Sequence, residues 1–191
     1  MDNPTYSFRL SLARKEAAFR LTEQALAWNE AGSEHALAFS DIRQIRIYDS
    51  PGANDMPAFT RCTIKPAAGR AVILGSNHYA GLVDWQSRTD SFRPFVDALL
   101  RRAALANPGI EFISGMPGAL WAFWIAIVAG GFIVAPLVVA AVIVGGKDIS
   151  AGSLGALAVC VAMLAGFFPL LKLVGRNRPQ RFEAREGYPA E

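Results

Sequence analysis

Charge is what this sequence lacks over its longest apolar region. From Gly118 to Leu171 the only charged residues are Lys147 and Asp148, whereas residues 1 to 113 carry 13 Lys/Arg and 12 Asp/Glu. The chain therefore divides into a soluble part and a membrane-type part. Histidine and cysteine are scarce too, with two of each. His35 and His78 have no His, Cys or carboxylate at metal-ligand spacing, which excludes a recognisable metal site. Cys62 and Cys160 fall in different parts, so no disulfide is expected and a reducing compartment fits the soluble part. The start, Met1-Asp2-Asn3-Pro4-Thr5, has neither a basic nor an apolar signal segment, so no cleaved leader is expected.

Other absences narrow the function. Gly145, Gly146, Gly152 and Gly155 form no G-x-G-x-x-G fingerprint and there is no P-loop, so no cofactor is expected. The formal charge of +3 gathers in the C-terminal stretch Lys172, Arg176, Arg178, Arg181 and Arg185. The preceding domain is nearly neutral, which argues for lipid headgroups and against nucleic acid as a partner. His78 and Asp84 share a turn-rich segment and are the nearest thing to an acid-base pair. No activated nucleophile accompanies them, so a solvated loop is expected and a non-enzymatic protein with it.

What is present is patterning. Tyr6, Phe8, Leu10 and Leu12 alternate with polar residues and predict a strand. Arg14 to Glu30 fits either one helix on Ala18, Leu21, Ala25 and Trp28, or two strands joined at Thr22-Glu23-Gln24, and the strand reading is favoured. After the turn Asn29 to Ser33, alternation continues through Leu37 and Phe39, and a strand spans Arg43 to Asp49. Ser50 to Pro57 reads as a surface loop, Thr60 to Leu74 as a hairpin, and Ser76 to Arg88 as a long loop. A helix follows, capped by Asp90 or Ser91, with Pro94 in its first turn. Its apolar face is Phe92, Phe95, Val96, Leu99, Leu100 and Ala103, Arg101 and Arg102 suit its last turn, and Asn107-Pro108-Gly109 stops it.

Ala18 to Thr22, Leu26 to Trp28, Leu37 to Ile47 and the helix Phe92 to Ala106 together resemble a bacterial pleckstrin-homology-like (PH-like) domain. Such a domain followed by two membrane helices is similar to uncharacterised bacterial membrane proteins. The resemblance implies an α+β fold, an antiparallel sheet or partly open barrel with a C-terminal helix, followed by an all-α transmembrane hairpin. Arg14 and Lys15 stand beside Glu16, and the Glu30 to Glu34 loop is acidic, which departs from the basic cluster of phosphoinositide-binding members.

The expected organisation is a cytoplasmic PH-like domain over 1–113, a hairpin over 114–175 and a basic cytoplasmic tail over 176–191. Two apolar stretches, Gly118 to Gly145 and Ile149 to Leu171, each match the roughly 20 residues that span a bilayer. Gly118, Ala122, Ala126 and Gly130 on the first, with Ala158, Ala162 and Gly166 on the second, are small residues at helical spacing and predict packing within the hairpin or between chains. Trp121 and Trp124 are expected at the lipid boundary, with Lys172, Arg176 and Arg178 as cytoplasmic anchors. Pro136 and Pro169 are expected to bend their helices. Without an intramembrane ionisable group the hairpin reads as an anchor rather than a transport path. The expected function is a binding or scaffolding module at the bacterial inner membrane, multi-pass, with both termini cytoplasmic and a protein, peptide or lipid headgroup bound between a sheet edge and the helix. The alternative is an accessory subunit of a membrane enzyme or transporter, forming homo- or hetero-oligomers through its membrane helices.

Overall fold

The computed structural model of the chain describes residues 3–11, 15–50, 59–81, 84–145, 158, 170–172 and 174–184. It is an α+β structure that divides into two compact units, Met1–Gly115 with Pro179–Glu191, and Met116–Arg178.

The first unit opens with β1 (Thr5–Phe8), β2 (Ala17–Leu21), β3 (Ala25–Glu30) and β4 (Ser33–Ala38), an antiparallel sheet in the order β1-β2-β3-β4. Two strands, not a helix, therefore occupy the ambiguous segment before Glu30. Alternation decides it, because Phe19, Leu21 and Leu26 all reach the core while Arg20 faces solvent. Ala31 and Gly32 close the β3–β4 hairpin with φ of 57° and 90°. Positive φ at both positions gives the turn the twist that paired strands need. The first strand stops at Phe8, so the expectation that it runs to Leu12 is too long.

A short 3-10 turn, Phe39–Asp41, leads into β5 (Ile42–Ser50), which pairs with β6 (Phe59–Pro66), itself paired with β7 (Val72–Gly75). The expected Ser50 to Pro57 loop lies largely outside the described residues. From Ser76 to Arg88 the structure corrects the sequence reading. The expected long loop contains a hairpin of β8 (Asn77–Tyr79) and β9 (Trp85–Ser87), and Ser76, Asn77 and His78 are buried. Three-residue strands carry too few residues to display a period, which hid them.

Helix α1 (Thr89–Ala106) packs Phe92, Phe95, Val96, Leu99, Leu100 and Ala103 into the core, the face the spacing predicts. Its start differs from expectation. Arg88 precedes the first turn and no side chain caps it, so Asp90 and Ser91 are helical residues and Pro94 falls inside the helix. Arg102 does not serve the helix end either. Its guanidinium donates to the carbonyls of Leu21 (3.0 Å) and Thr22 (2.8 Å), tying α1 to the β2–β3 turn. Asn107 ends the helix and donates its side-chain amide to the carbonyls of Ser40 and Ile42, both at 3.1 Å.

Beyond the helix, β10 (Glu111–Ser114) lies parallel to β5, so the second sheet is mixed rather than purely antiparallel. Its far neighbour is β11 (Gln180–Arg181), giving the order β11-β10-β5-β6-β7. Phe182 packs against the core, its ring 5.9 Å from Phe112, and Ala184 is 5% exposed. Part of the stretch read as a basic tail thus completes the second sheet of the first unit.

The second unit contains α2 (Gly118–Gly145), a helix of 28 residues. Over Gly118–Ala141 its mean hydropathy reaches 2.4, and it is the one helix among the described residues long and apolar enough to cross a membrane. The second apolar stretch lies mostly outside the described residues, which include helical Ala158 and the helical turns around 170–176. Pro136 lies inside α2, and Pro169 is not among the described residues.

Ending the chain at Arg178 removes β11, Phe182 and Ala184 from the first unit. Its unfolding free energy should fall by about 2 to 3 kcal/mol. Urea unfolding of the full-length and shortened proteins in nanodiscs, followed by protection of the first unit from proteolysis, measures this, and equal midpoints would refute it.

Candidate functional site

Cross-strand register builds the most distinctive surface of the first unit. Tyr6 pairs with Phe19, Phe19 with Trp28, and Trp28 with His35, so one row of rings crosses β1 to β4 on the inner face of the sheet. Ring centroids lie 5.7 Å apart for Phe8 and Phe19, 6.3 Å for Phe19 and Trp28, and 5.2 Å for Trp28 and His35, with interplanar angles of 27°, 19° and 22°. The row begins in the core, where Tyr6, Phe8 and Phe19 are at most 4% exposed. It emerges through half-buried Trp28 to exposed His35. Aromatic neighbours of this kind add about 0.5 to 1.5 kcal/mol each beyond area burial, so the row is also a rigid wall.

That wall forms one side of a cavity of about 590 Å³. Phe8, Phe19, Trp28 and His35 face Leu10, Leu37 and the β6–β7 hairpin residues Ala71 and Val72, with Lys15, Arg70 and Glu30 also in the lining. The lining is mixed, with the apolar faces of Trp28, Leu37 and Val72 beside the polar groups of Lys15, Glu30, His35 and Arg70. Lys15 and Arg70 are exposed and make no ion pair among the described residues.

The groove expected between a sheet edge and the helix also exists, as a space of about 750 Å³ between β1 and the start of α1. Arg88 crosses it. The guanidinium donates to the Ser7 carbonyl and to Ser7 Oγ (3.0 Å), and reaches Glu16 Oε1 at 3.4 Å. His78 Nδ1 lies 4.0 Å from the same Glu16 oxygen and has no hydrogen-bond partner among the described residues. Burial, with the charge of Arg88 behind it, pushes the His78 imidazole below 6.5, and Glu16 opposes this only in part. A hydrogen bond from Ser7 leads the effects that hold the Glu16 carboxyl below 4.5. Tyr6 donates to the Gly75 carbonyl at 2.5 Å, and burial raises its phenol well above the usual value. These are fixed structural partners, closing the seam where β1, β8 and α1 meet.

The solvated-loop reading of His78 is thus overturned. His78 sits opposite Gln86 in the β8–β9 ladder, while the Asp84 carbonyl accepts from Ala80 (3.0 Å) and Gly81 (3.3 Å) in the connecting turn. The carboxylate that approaches His78 is Glu16, which sequence spacing gave no reason to select. Cys62 is fully buried, with its thiol pushed up to about 12, and suits packing rather than nucleophilic chemistry. Among the described residues no three His, Cys, Asp or Glu side chains gather as a metal site.

The residues singled out in the apolar region are placed as follows. Gly118, Ala122 and Ala126 are exposed on α2 and Gly130 is half-buried, and a side chain at Gly118 or Gly130 would meet nothing within 4 Å among the described residues. Ala158 is exposed, while Ala162 and Gly166 lie outside the described residues. Trp121 and Trp124 are half-buried, and Trp121 Nε1 donates to the Val174 carbonyl at 3.0 Å. Lys172, Arg176 and Arg178 are exposed. The sequence pattern did not single out Trp28, His35, Lys15 or Arg70 as a group, because only the strand register brings them together. Comparison with protein-family models, curated proteins and solved structures finds no match to the chain.

The seam gives a pH dependence. Between the depressed folded value of His78 and 6.5, the unfolded chain binds more protons than the folded one, so stability rises with pH there and is lost as pH falls below 6.5. The contribution of Glu16 is present above 4.5 and is lost as pH falls through its lower folded value. The melting temperature should therefore drop as pH is lowered from about 7 to about 5, and His78→Gln should flatten that part of the curve. Parallel slopes for the two proteins in thermal melts would refute the assignment.

Proposed function

We propose that the chain is a non-enzymatic membrane-tethered binding module, with a PH-like domain held at the cytoplasmic face of a bacterial inner membrane by a two-helix hairpin. The observation that carries this reading is where the apolar insert begins and ends. Ser114 pairs with Gln180 across β10 and β11, so chain entering and leaving the insert does so from adjacent strands. Within the insert, Met116 N–H donates to the Asn177 carbonyl at 2.9 Å, and Trp121 to Val174 one helical turn further on. A segment that departs and returns at one point crosses a bilayer an even number of times. With two stretches of spanning length, two crossings follow.

The apolar surface of α2 supports the same reading. Phe123, Ile133 and Leu137 are 57%, 61% and 63% exposed, a surface that water penalises and lipid accepts. Lys172, Arg176, Arg178 and Arg181 follow the second stretch and favour the cytoplasm for both flanks. The PH-like reading rests on a four-stranded antiparallel sheet, the β5–β7 strands of a second sheet and then a helix that packs into the core, while β10 and β11 extend that second sheet after the helix.

The accessory-subunit alternative draws support from the small residues Gly118, Ala122, Ala126 and Gly130 on α2, where no described residue packs within 4 Å of a side chain placed at Gly118 or Gly130. On the anchored-module reading, Ala126→Leu leaves the protein's apparent mass in mild detergent unchanged. Loss of a co-purifying complex would favour the alternative.

Alkaline phosphatase fused at Met1 or after Glu191 should be inactive, and an insertion beside Lys147 active, since the enzyme matures only outside the cytoplasm. Activity at either terminus, or extraction of the protein from membranes by alkaline carbonate, would overturn the topology.

A further inference from the structure

We infer that β4 is a docking edge for an extended peptide, which adds antiparallel to it as a fifth strand of the first sheet and directs an apolar and an acidic side chain into the 590 Å³ cavity. This rests on the reading of the first unit as a binding module and names the class of partner.

The backbone of β4 carries the inference. It is the outermost strand of its sheet, and Ser33, Glu34, His35 and Ala36 are exposed. The two-residue turn at Ala31 and Gly32 closes on the Glu30–Ser33 pair, so that pair, Trp28–His35 and Leu26–Leu37 are the ones that exchange hydrogen bonds with β3. The N–H and C=O groups of Glu34 and Ala36 therefore point away from β3, and none of the four has a partner among the described residues. Sheet edges are commonly blunted by proline, lysine or a bulge, and Ser33–Ala38 has none of these. The opposite edge of the same sheet is engaged, since Arg88 reaches the Ser7 carbonyl and the Tyr79 N–H reaches the Arg9 carbonyl. In the second sheet the outer strands β7 and β11 are only four and two residues long.

The cavity beside this edge selects the side chains. An added strand places alternate residues next to His35 and Leu37, which both line the cavity. The lining joins the apolar faces of Trp28, Leu37 and Val72 to the polar groups of His35, Lys15 and Arg70, a mixture that a peptide meets residue by residue. Lys15 and Arg70 are exposed and make no ion pair among the described residues, while Glu30, the acidic residue of the lining, already interacts within the protein. The charge left to be matched is therefore positive, and the partner residue acidic. Lys15 precedes Ala17, which pairs with Glu30, which pairs with Ser33, so the acidic residue belongs at the Ser33 end of β4. Antiparallel addition then gives the order along the peptide: an apolar residue opposite Leu37, an apolar or aromatic one opposite His35, and an acidic one opposite Ser33, each two places apart. The stacking of Trp28 between Phe19 and His35 holds this wall in place before binding, which limits the ordering cost. A strand added to a free edge draws affinity from backbone bonds and specificity from alternate side chains.

The test uses the full chain in phosphatidylcholine nanodiscs and fluorescence anisotropy of the peptide Thr-Val-Thr-Phe-Thr-Glu, labelled with fluorescein at its N-terminus. Binding should saturate. N-methylation of the third and fifth peptide residues, which lie opposite Ala36 and Glu34, should weaken it about tenfold or more. Ala36→Pro removes an N–H that β3 does not use, and should weaken binding about tenfold while leaving the melting temperature unchanged. Lys15→Glu/Arg70→Glu, at two exposed positions, should reverse the preference between this peptide and one ending in Lys. Absence of saturable binding, indifference to N-methylation, or an unchanged charge preference would each overturn the proposal. So would a dimer that Ala36→Pro abolishes and that excludes the peptide, which assigns the edge to a second copy, or displacement of the peptide by dodecanoate, which assigns the cavity to lipid. A protein that resists carbonate extraction yet binds no peptide refutes the partner and leaves the anchored module standing. Specific peptide binding by a protein that carbonate extracts does the reverse.

Discussion

The short pairing of β10 with β11 constrains everything else in the chain. It places the residues that enter and leave the apolar insert on neighbouring strands, so the first unit is assembled from sequence on both sides of that insert. A sheet closed in this way ties two processes together. The strand after the insert can dock only when the insert has brought it back, and Phe182 and Ala184 then reach the core beside Phe112 and Ile110. Arg181 adds a 2.9 Å contact to Glu111, which at an exposed site contributes little to stability but favours this register.

Within that frame, α1 and the first sheet divide the work. The helix packs one apolar face into a core that the strands mostly supply, and it is fixed at three points by side chains that reach backbone carbonyls: Arg88 to Ser7, Arg102 to Leu21 and Thr22, and Asn107 to Ser40 and Ile42. Each contact joins elements far apart in sequence; Arg88 reaches a carbonyl on the edge strand β1, and Arg102 and Asn107 reach carbonyls at strand ends or in turns, where ladder partners run out. The sheet, held from that side, can leave its other end partly open. The aromatic row then runs from a sealed interior to a solvent-facing rim without a break in packing, which is how a small domain accommodates a cavity.

The polar seam around His78 and the apolar cavity beside Trp28 are contrasting uses of scarce residue types. His78 is enclosed, its imidazole pushed below 6.5 by burial and by Arg88, and serves the junction of β1, β8 and α1. His35 is exposed and contributes a ring face. Spacing along the chain treats the two histidines alike, as isolated residues with no partner nearby, yet one is enclosed in a packed junction and the other lines an open cavity.

The sequence by itself determined the division into a soluble and an apolar part, because charge and hydropathy act residue by residue. It also determined the strand alternation through Ile47, the hairpin ending at Leu74 and the buried face of α1, where period and composition reinforce each other. Tertiary structure alone decided the β8–β9 hairpin, the parallel docking of β10 on β5, and the recruitment of Gln180 and Arg181 as a strand. Strands of two or three residues leave no readable period, and these short strands, like the parallel register of β10, are stabilised by partners distant in sequence. It also decided the site. Lys15, Trp28, His35 and Arg70 are brought together by register and by the folding of one sheet over another, and neither is written in the local sequence around any of the four.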